Sequence, residues 1–325
     1  MINICLVGLG GMGTVHWNNY QYIDGCKVIA AVGRSEQDKK NALEWGIPLF
    51  DDIDSMLAVT SVDVIDVCTP TFLHYEHALK ALSSGINTFV EKPIALHKDQ
   101  AVSLYETAEK NNVLLLVGQA LRFTREYAIL KDLVVSGKYG KPLDGYFERL
   151  SAAPRWAAGG WMFDKSKSGH LAFDLHIHDL DLIVSIFGRP ASYSYTSAGN
   201  KDKNYKEQYR LTYKYEDLNI SAEAAWFNAD IPFTARWRVY FENAMIINDG
   251  TTVTAYQFDH DPFVFDTEEG RKIPTGINLP PTAMFLHELS HFIECVREKK
   301  QSELIKKEEI FAVLEILENV SFNGQ

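Results

Sequence analysis

At 325 residues, with 46% hydrophobic and 23% charged side chains, the chain is long enough for two packed domains of roughly 100–200 residues each. Its formal net charge of −11 disfavours a nucleic-acid backbone or an anionic membrane surface as a partner. No apolar run approaches the roughly 20 residues that span a bilayer, and the chain enters the apolar run INICLVG with no basic leader, so a cytoplasmic location without signal peptide or anchor is expected. Cys5, Cys26, Cys68 and Cys295 lie far apart without CxxC spacing, which predicts buried free thiols in a reducing compartment.

In chain order, a continuous apolar run (Ile2–Val7) leads into a glycine loop and a helix from about Gly11 to Tyr22. Lys27–Val32 reads as a second strand, and Ser35–Trp45 as a helix with Ser35 as cap and Asp38 three residues on. Val62–Cys68 is a third strand, and Thr71–Ser84 a helix capped by Thr71 and stopped at Gly85. Asn87–Val90, a helix near His97 to Lys110 and Val113–Val117 complete the series. Strands this apolar, alternating with helices, predict a parallel sheet covered on both faces.

Past Gly118 the pattern changes. A helix (Arg125–Val135), a strand, a Gly- and Trp-rich loop (Ala152–Gly169) and a long helix (about His170 to Phe187) precede a stretch, Ala191–Phe265, that alternates and is rich in Tyr, Phe, Thr and Trp. That composition predicts a largely antiparallel sheet. Helices near Thr282–Glu298 and Lys306–Ser321 close the chain. The expected class is α/β: a Rossmann domain over residues 1–119, then an α+β domain over residues 120–325.

GLGGMG, spanning Gly8 to Gly13 with Gly10, Gly11 and Met12 between, follows an apolar strand and opens a helix. Gly8 permits the tight turn, Gly10 lets backbone approach a pyrophosphate, and Gly13 lets helix and strand pack closely. The helix N-terminus then offers unpaired N–H groups to phosphates. A dinucleotide is therefore the expected ligand. The second strand ends VGRS, with Gly33, Arg34 and Ser35 where an acidic residue would accept the ribose hydroxyls of NAD. A cation and a hydroxyl there favour NADP over NAD.

Cys68-Thr69-Pro70-Thr71-Phe72-Leu73-His74 after the third strand, and Glu91-Lys92-Pro93 after Asn87–Val90, resemble the signature segments of the glucose–fructose oxidoreductase / inositol 2-dehydrogenase (Gfo/Idh/MocA) family. Gly118-Gln119-Ala120-Leu121-Arg122-Phe123 is similar to the family's crossover, and Asp174-Leu175-His176-Ile177-His178-Asp179-Leu180-Asp181 to its D-x-x-x-H-D-x-D helix. The resemblance, which runs nearly the full length, implies an open-faced mixed sheet in the second domain that serves homo-oligomer contacts, as a dimer or tetramer. It implies hydride transfer between NAD(P) and a secondary hydroxyl of a sugar, cyclitol or polyol. Position by position, it places Thr69, Pro70, His74, Glu91 and Lys92 around the cofactor and makes Lys92 the catalytic lysine, Asp174 the substrate-orienting aspartate and His178 the acid/base.

The chemistry agrees with these residue types. A proton step near neutral pH suits His, and a cation suits a developing alkoxide. His170, Asp174, His178, Asp181 and Ser185 recur every 3 or 4 residues, a polar stripe on an otherwise apolar helix. His176 and Asp179 point to its other side, where packing or subunit contact is expected. Arg122, Arg155, Trp156 and Trp161 are candidate substrate contacts. His287-Glu288-Leu289-Ser290-His291 matches the zinc motif HExxH, yet its helix carries a core stripe of Phe285, Leu289, Phe292 and Val296 and no third ligand follows, so no metal is expected. The alternative to an enzyme is a regulator that reads dinucleotide or sugar levels on the same fold. Such a protein would be free to lose Lys92 or His178; this chain keeps both.

Overall fold

A computed structural model describes residues 1–277 and 279–323. The chain divides into two compact units, one formed by residues 1–123 with 269–307, the other by 124–268 with the remaining C-terminal residues.

In the first unit β1 (Ile2–Val7), β2 (Cys26–Val32), β3 (Leu49–Phe50), β4 (Val64–Val67), β5 (Asn87–Glu91) and β6 (Leu115–Gly118) form one sheet in the order β3-β2-β1-β4-β5-β6. Every pairing in it is parallel, with Ile4 opposite both Val28 and Val64. The connecting helices are α1 (Gly11–Tyr20), α2 (Glu36–Trp45), the short α3 (Ile53–Leu57), α4 (His74–Ser83) and α5 (Lys98–Asn111). The central β4 is buried at all four positions, as a sheet covered on both faces requires. Ser35 caps α2 in a reciprocal box with Asp38, as its sequence predicts. The expected Thr71 helix start is instead a 3-10 turn, Thr71–Leu73, ahead of α4.

Where a single cut after residue 119 is expected, residues 269–307 pack on the first unit. The physical reason lies in α9 (Met284–Glu298): Phe285, Leu289 and Phe292 are buried, and Phe292 meets Phe89 of β5 edge to face at 5.6 Å.

The second unit contains α6 (Arg125–Ser136), α7 (Lys165–Ser168), α8 (Ile177–Phe187), α10 (Lys307–Glu318) and the strands β7 (Pro142–Ala152), β8 (Ser192–Ala198), β9 (Gln208–Lys214), β10 (Asn219–Phe227), β11 (Thr234–Phe241), β12 (Ala244–Asn248), β13 (Val253–Tyr256) and β14 (Phe263–Val264). The strand order is β14-β13-β12-β11-β7-β10-β9-β8. Only the β7–β10 pair is parallel, so the sheet is mixed but mostly antiparallel. Burial alternates along β9 and β11, with Leu211, Tyr213, Trp237 and Val239 inward and Arg210, Arg236 and Arg238 on the open face. No helix among the described residues is long and apolar enough to cross a membrane.

Candidate active site

The glycine turn fits a dinucleotide. Gly8 has φ +87°, a conformation that disfavours any Cβ, and a Cβ on Gly13 would stand 2.1 Å from the Gly8 carbonyl oxygen. At Gly10 a Cβ would meet nothing within 4 Å. Gly10 also caps α1 without a side-chain bond, so the α1 N-terminus is open at Gly10, while Ile277 stands 3.2 Å from where a Cβ on Gly11 would be. That is the cradle a pyrophosphate needs, and Gly8, Gly10, Gly11, Met12 and Gly13 are the residues that would hold it.

At the end of β2, a carboxylate does stand at the Gly33-Arg34-Ser35 turn, contrary to the sequence expectation. Asp38 folds back so closely that a Cβ on Gly33 would lie 2.5 Å from its carboxyl carbon. It accepts the N–H of Leu9 at 2.7 Å, of Arg34 at 3.1 Å and of Ser35 at 2.8 Å, plus the Ser35 hydroxyl at 2.6 Å. The Arg34 guanidinium donates to the Asp51 carbonyl at 2.9 Å and faces Asp52 at 3.7 Å. The acid three residues into α2 was the available signal, and it reads equally as an ordinary cap.

The TP and EKP segments are tied together by His74, which is buried. Its Nε2 lies 2.6 Å from the Thr69 carbonyl and its Nδ1 2.7 Å from that of Pro93. Burial pulls His74 below the ordinary histidine range, while both carbonyls oppose that shift. Its ring nitrogens are thus engaged in joining the two loops that carry Thr69, Pro70 and Lys92.

Behind Lys92 lies a buried cluster. His16 of α1, fully buried, places Nδ1 2.8 Å from Asp66 and Nε2 3.0 Å from Glu91. Tyr20 donates to Asp66 at 2.9 Å, and the second Glu91 oxygen accepts the Lys92 backbone N–H at 3.0 Å. Burial alone would lower His16, but Asp66 and Cys68 carry it well above its ordinary value. Burial pushes the Glu91 carboxyl up, yet the His16 hydrogen bond and charge outweigh it and hold the group below the usual range. The ligand atoms of His16, Asp66 and Cys68 lie within 4.8 Å of one another. They are hydrogen-bonded among themselves, and burial with Asp66 raises the Cys68 thiol far from the thiolate a metal takes. All four cysteines are free and buried.

Arg122 is also on this unit, with 4% of its surface exposed, and it donates to the Leu304 carbonyl at 2.8 Å. Of the HExxH residues, His291 bonds Ser302 at 2.7 Å and His287 faces the Phe123 carbonyl at 3.4 Å. Glu288 is turned the other way, 0% exposed, and its burial was not foreseen.

On the second unit, the D-x-x-x-H-D-x-D segment starts as a π-helical turn, Ala172–His176, and continues as α8. From residue 171 to 184 every position is buried except Asp174 and His178. A π turn adds a residue to the helical repeat, and such turns recur at functional sites. The residues on the other side are structural. Asp179 takes a bidentate bond from Arg149 at 2.8 and 3.2 Å, and His176 lies 2.5 Å from the Tyr213 hydroxyl. Burial, with Arg149 nearby, pushes His176 down to about 3. Trp156 is 70% exposed and Trp161 half-buried, while Arg155 bonds Asn228 at 2.5 Å.

A six-stranded parallel sheet with this glycine turn is a dinucleotide-binding Rossmann fold, and the second unit is built on a mixed, mostly antiparallel sheet. The family model described as the oxidoreductase family with NAD-binding Rossmann fold matches residues 2–119, and the GFO/IDH/MocA C-terminal domain model matches residues 127–247. The chain belongs to the Gfo/Idh/MocA oxidoreductase family. It is 28% identical over 229 residues to D-glucoside 3-dehydrogenase of Escherichia coli, covering 66% of this chain and 64% of that protein. It is 27% identical over 187 residues to 2,7-anhydro-N-acetylneuraminate hydratase of Mediterraneibacter gnavus, covering 58% and 50%. The chain thus spans half to two thirds of the length of these relatives. The fold is shared with an oxidoreductase from Agrobacterium radiobacter solved with NAD+, L-tartaric acid and magnesium, at TM-score 0.84, 15% identity and coverage of 98% and 94%.

Proposed function

We propose that this chain is a dehydrogenase that exchanges hydride between NAD(P) and a secondary hydroxyl of a sugar, cyclitol or related polyol. The observation that carries the reading is the pair Asp174 and His178, the two positions left open in the buried run from 171 to 184. A core helix keeps two ionisable side chains at its open positions where they have work to do. The sugar-acting relative, D-glucoside 3-dehydrogenase, supports the substrate class.

In this reading the His178 imidazole takes the proton from the substrate hydroxyl, Asp174 orients that hydroxyl, and the Lys92 ammonium Nζ offsets the charge that develops on the oxygen. The nicotinamide cofactor, when bound, accepts the hydride from the same carbon. The α1 N-terminus holds its pyrophosphate, and Thr69 and Pro70 border it. Trp156 and Trp161 offer apolar faces for a sugar ring. Arg34 is the cation that favours NADP, although Asp38 occupies the Ser35 hydroxyl and Asp52 competes for the guanidinium, so the preference for NADP is modest. Chains associate through the open face of the second unit's sheet.

The test is a spectrophotometric screen at 340 nm of sugars, cyclitols and keto-sugars with both cofactors. Turnover of at least one of them supports the reading. Tight dinucleotide binding with no turnover across the panel overturns it in favour of a regulator.

A further inference from the structure

Glu288 is the residue of the HExxH match that no catalytic role absorbs. Its side chain is 0% exposed and neither carboxyl oxygen has a partner within hydrogen-bond geometry, although the Gln119 backbone N–H lies close enough to oppose the effect of burial. It lies on α9 one turn after Phe285, whose ring stands 6.4 Å from that of His16, and the charges of Glu91, His16 and Asp66 act on it. The cluster it joins has a definite proton count. A neutral imidazole has a single N–H, yet His16 faces carboxyl oxygens on both nitrogens, Asp66 on one side and Glu91 on the other. Both contacts are satisfied by an imidazolium, which leaves one cation between two carboxylates. A third buried carboxylate would add an uncompensated charge in low dielectric, and such a group keeps its proton instead.

We propose that His16 and Glu288 position Lys92 through Glu91, His16 as the bridge that fixes the Glu91 carboxylate and Glu288 as the buried acid whose ionisation loosens it. The chain of contact is short: His16 Nε2 to Glu91 Oε1 at 3.0 Å, then Glu91 Oε2 to the Lys92 backbone N–H at 3.0 Å. Lys92 follows the last residue of β5, so the carboxylate that holds its N–H sets where its side chain starts.

The other charged and titratable groups facing the cluster are Asp66, Lys92, Tyr20, Cys5, Cys68 and His74. Burial, reinforced by Asp66, raises Tyr20 on α1 and the thiols of Cys5 on β1 and Cys68 beside β4 far above neutrality. Burial lowers His74 on α4, whose charge also acts on Glu91. His16 and Glu288 are both raised in the folded protein, His16 by Asp66 and Cys68 against burial, Glu288 first by burial and then by Glu91. A raised folded value means the folded state holds a proton that the unfolded chain has lost. Stability from these groups is therefore present below their unfolded values, about 6.5 for His and 4.3 for Glu, and falls as pH rises through the folded ones.

The inference rests on Lys92 as the alkoxide-stabilising group, so its test has a part that needs no turnover. Thermal unfolding without cofactor is followed from pH 6 to 9.5 for wild type and Glu288→Gln. The wild-type midpoint falls with rising pH, and Glu288→Gln, which carries no ionisable proton, falls less steeply. Superimposable profiles would overturn Glu288 as the titrating acid. In the kinetic part, His16→Gln lowers kcat about 10- to 100-fold, the scale of a misplaced group, and changes dinucleotide affinity less than threefold. Glu288→Gln moves the alkaline limb of the kcat profile to higher pH. An unchanged kcat in a folded His16→Gln protein overturns the bridge, and an unmoved alkaline limb overturns the link to Lys92. If His16→Gln does not fold, the Glu288→Gln limb decides. Full turnover in Lys92→Met removes the functional reading and the positioning role with it, while the cofactor-free profiles still report the cluster.

Discussion

The Asp38 carboxylate accepts the backbone N–H of Leu9 at 2.7 Å, joining the glycine turn to the turn at the end of β2. The same carboxylate takes the N–H groups of Arg34 and Ser35. The glycine turn and the turn at the end of β2 are thereby one mechanical piece. Asn at this position keeps one acceptor oxygen and points an NH2 at a donor. Hydrogen bonds to a charged group contribute about 1.5–3 kcal/mol each, so Asp38→Asn is expected to cost about 2–4 kcal/mol of stability and to weaken dinucleotide binding. Denaturant titration and a dinucleotide binding isotherm check both, and wild-type affinity in the variant would uncouple the two turns.

Arg34→Asp places a carboxylate at the ribose end and removes the cation. The ratio of NADP to NAD affinity is expected to fall about tenfold or more, measured by titration of each cofactor. An unchanged ratio would mean that Arg34 is held by Asp51 and Asp52 and does not read the 2′-phosphate.

Much of this arrangement was legible in the sequence because it is local. The Ser35–Asp38 cap and the close packing at Gly13 follow from spacing within one or two turns of chain, whereas His170 and Asp181, expected in one polar stripe with Asp174 and His178, are buried. What was not legible depends on which surface an element covers. The periodicity of α9 shows that Phe285, Leu289 and Phe292 share a buried face, but not that the face belongs to the first unit. Glu288 falls inside that face, where a sequence pattern places a solvated residue. The strand Leu49–Phe50 and helix Ile53–Leu57 are too short for any period to register. The π turn at Ala172–His176 breaks the 3.6-residue repeat on which the stripe was counted. Arg122 is buried and donates to the Leu304 carbonyl, a partner 182 residues away that no local pattern could reveal.

Lys92→Ala and His178→Asn each remove a group proposed to act on the reacting oxygen or its proton. Turnover is expected to fall by about 100-fold or more in each, with dinucleotide affinity within a few-fold of wild type. Steady-state kinetics beside cofactor titration check this. Wild-type kcat in either variant would strike that residue from the mechanism.

Arg149 and Asp179 are both nearly buried, with 8% and 4% of their side chains exposed. Removing one partner leaves the other charge uncompensated in the core, which costs about 3–5 kcal/mol. Arg149→Ala is therefore expected to lower stability by that order. Arg149→Met with Asp179→Leu is expected to recover much of it, since apolar groups of similar size leave no charge behind. A single variant as stable as wild type would show that the pair is open to water.

Gly10 and Gly13 separate binding from folding within one turn. A methyl on Gly10 enters open space, so Gly10→Ala is expected to keep the unfolding midpoint within about 2 °C of wild type. If the pyrophosphate approaches Gly10 as proposed, the same methyl stands in its way, and dinucleotide affinity is expected to fall by at least tenfold. A methyl on Gly13 lies 2.1 Å from the Gly8 carbonyl oxygen, a distance no pair of these atoms sustains. Gly13→Ala must therefore push α1 from β1, at a cost of about 1–3 kcal/mol typical of overpacking. Calorimetry and cofactor titration on both variants read the contrast. Equal loss of stability in the two would mean that Gly10, too, is there for packing, and that the space it opens onto is not where the phosphates sit.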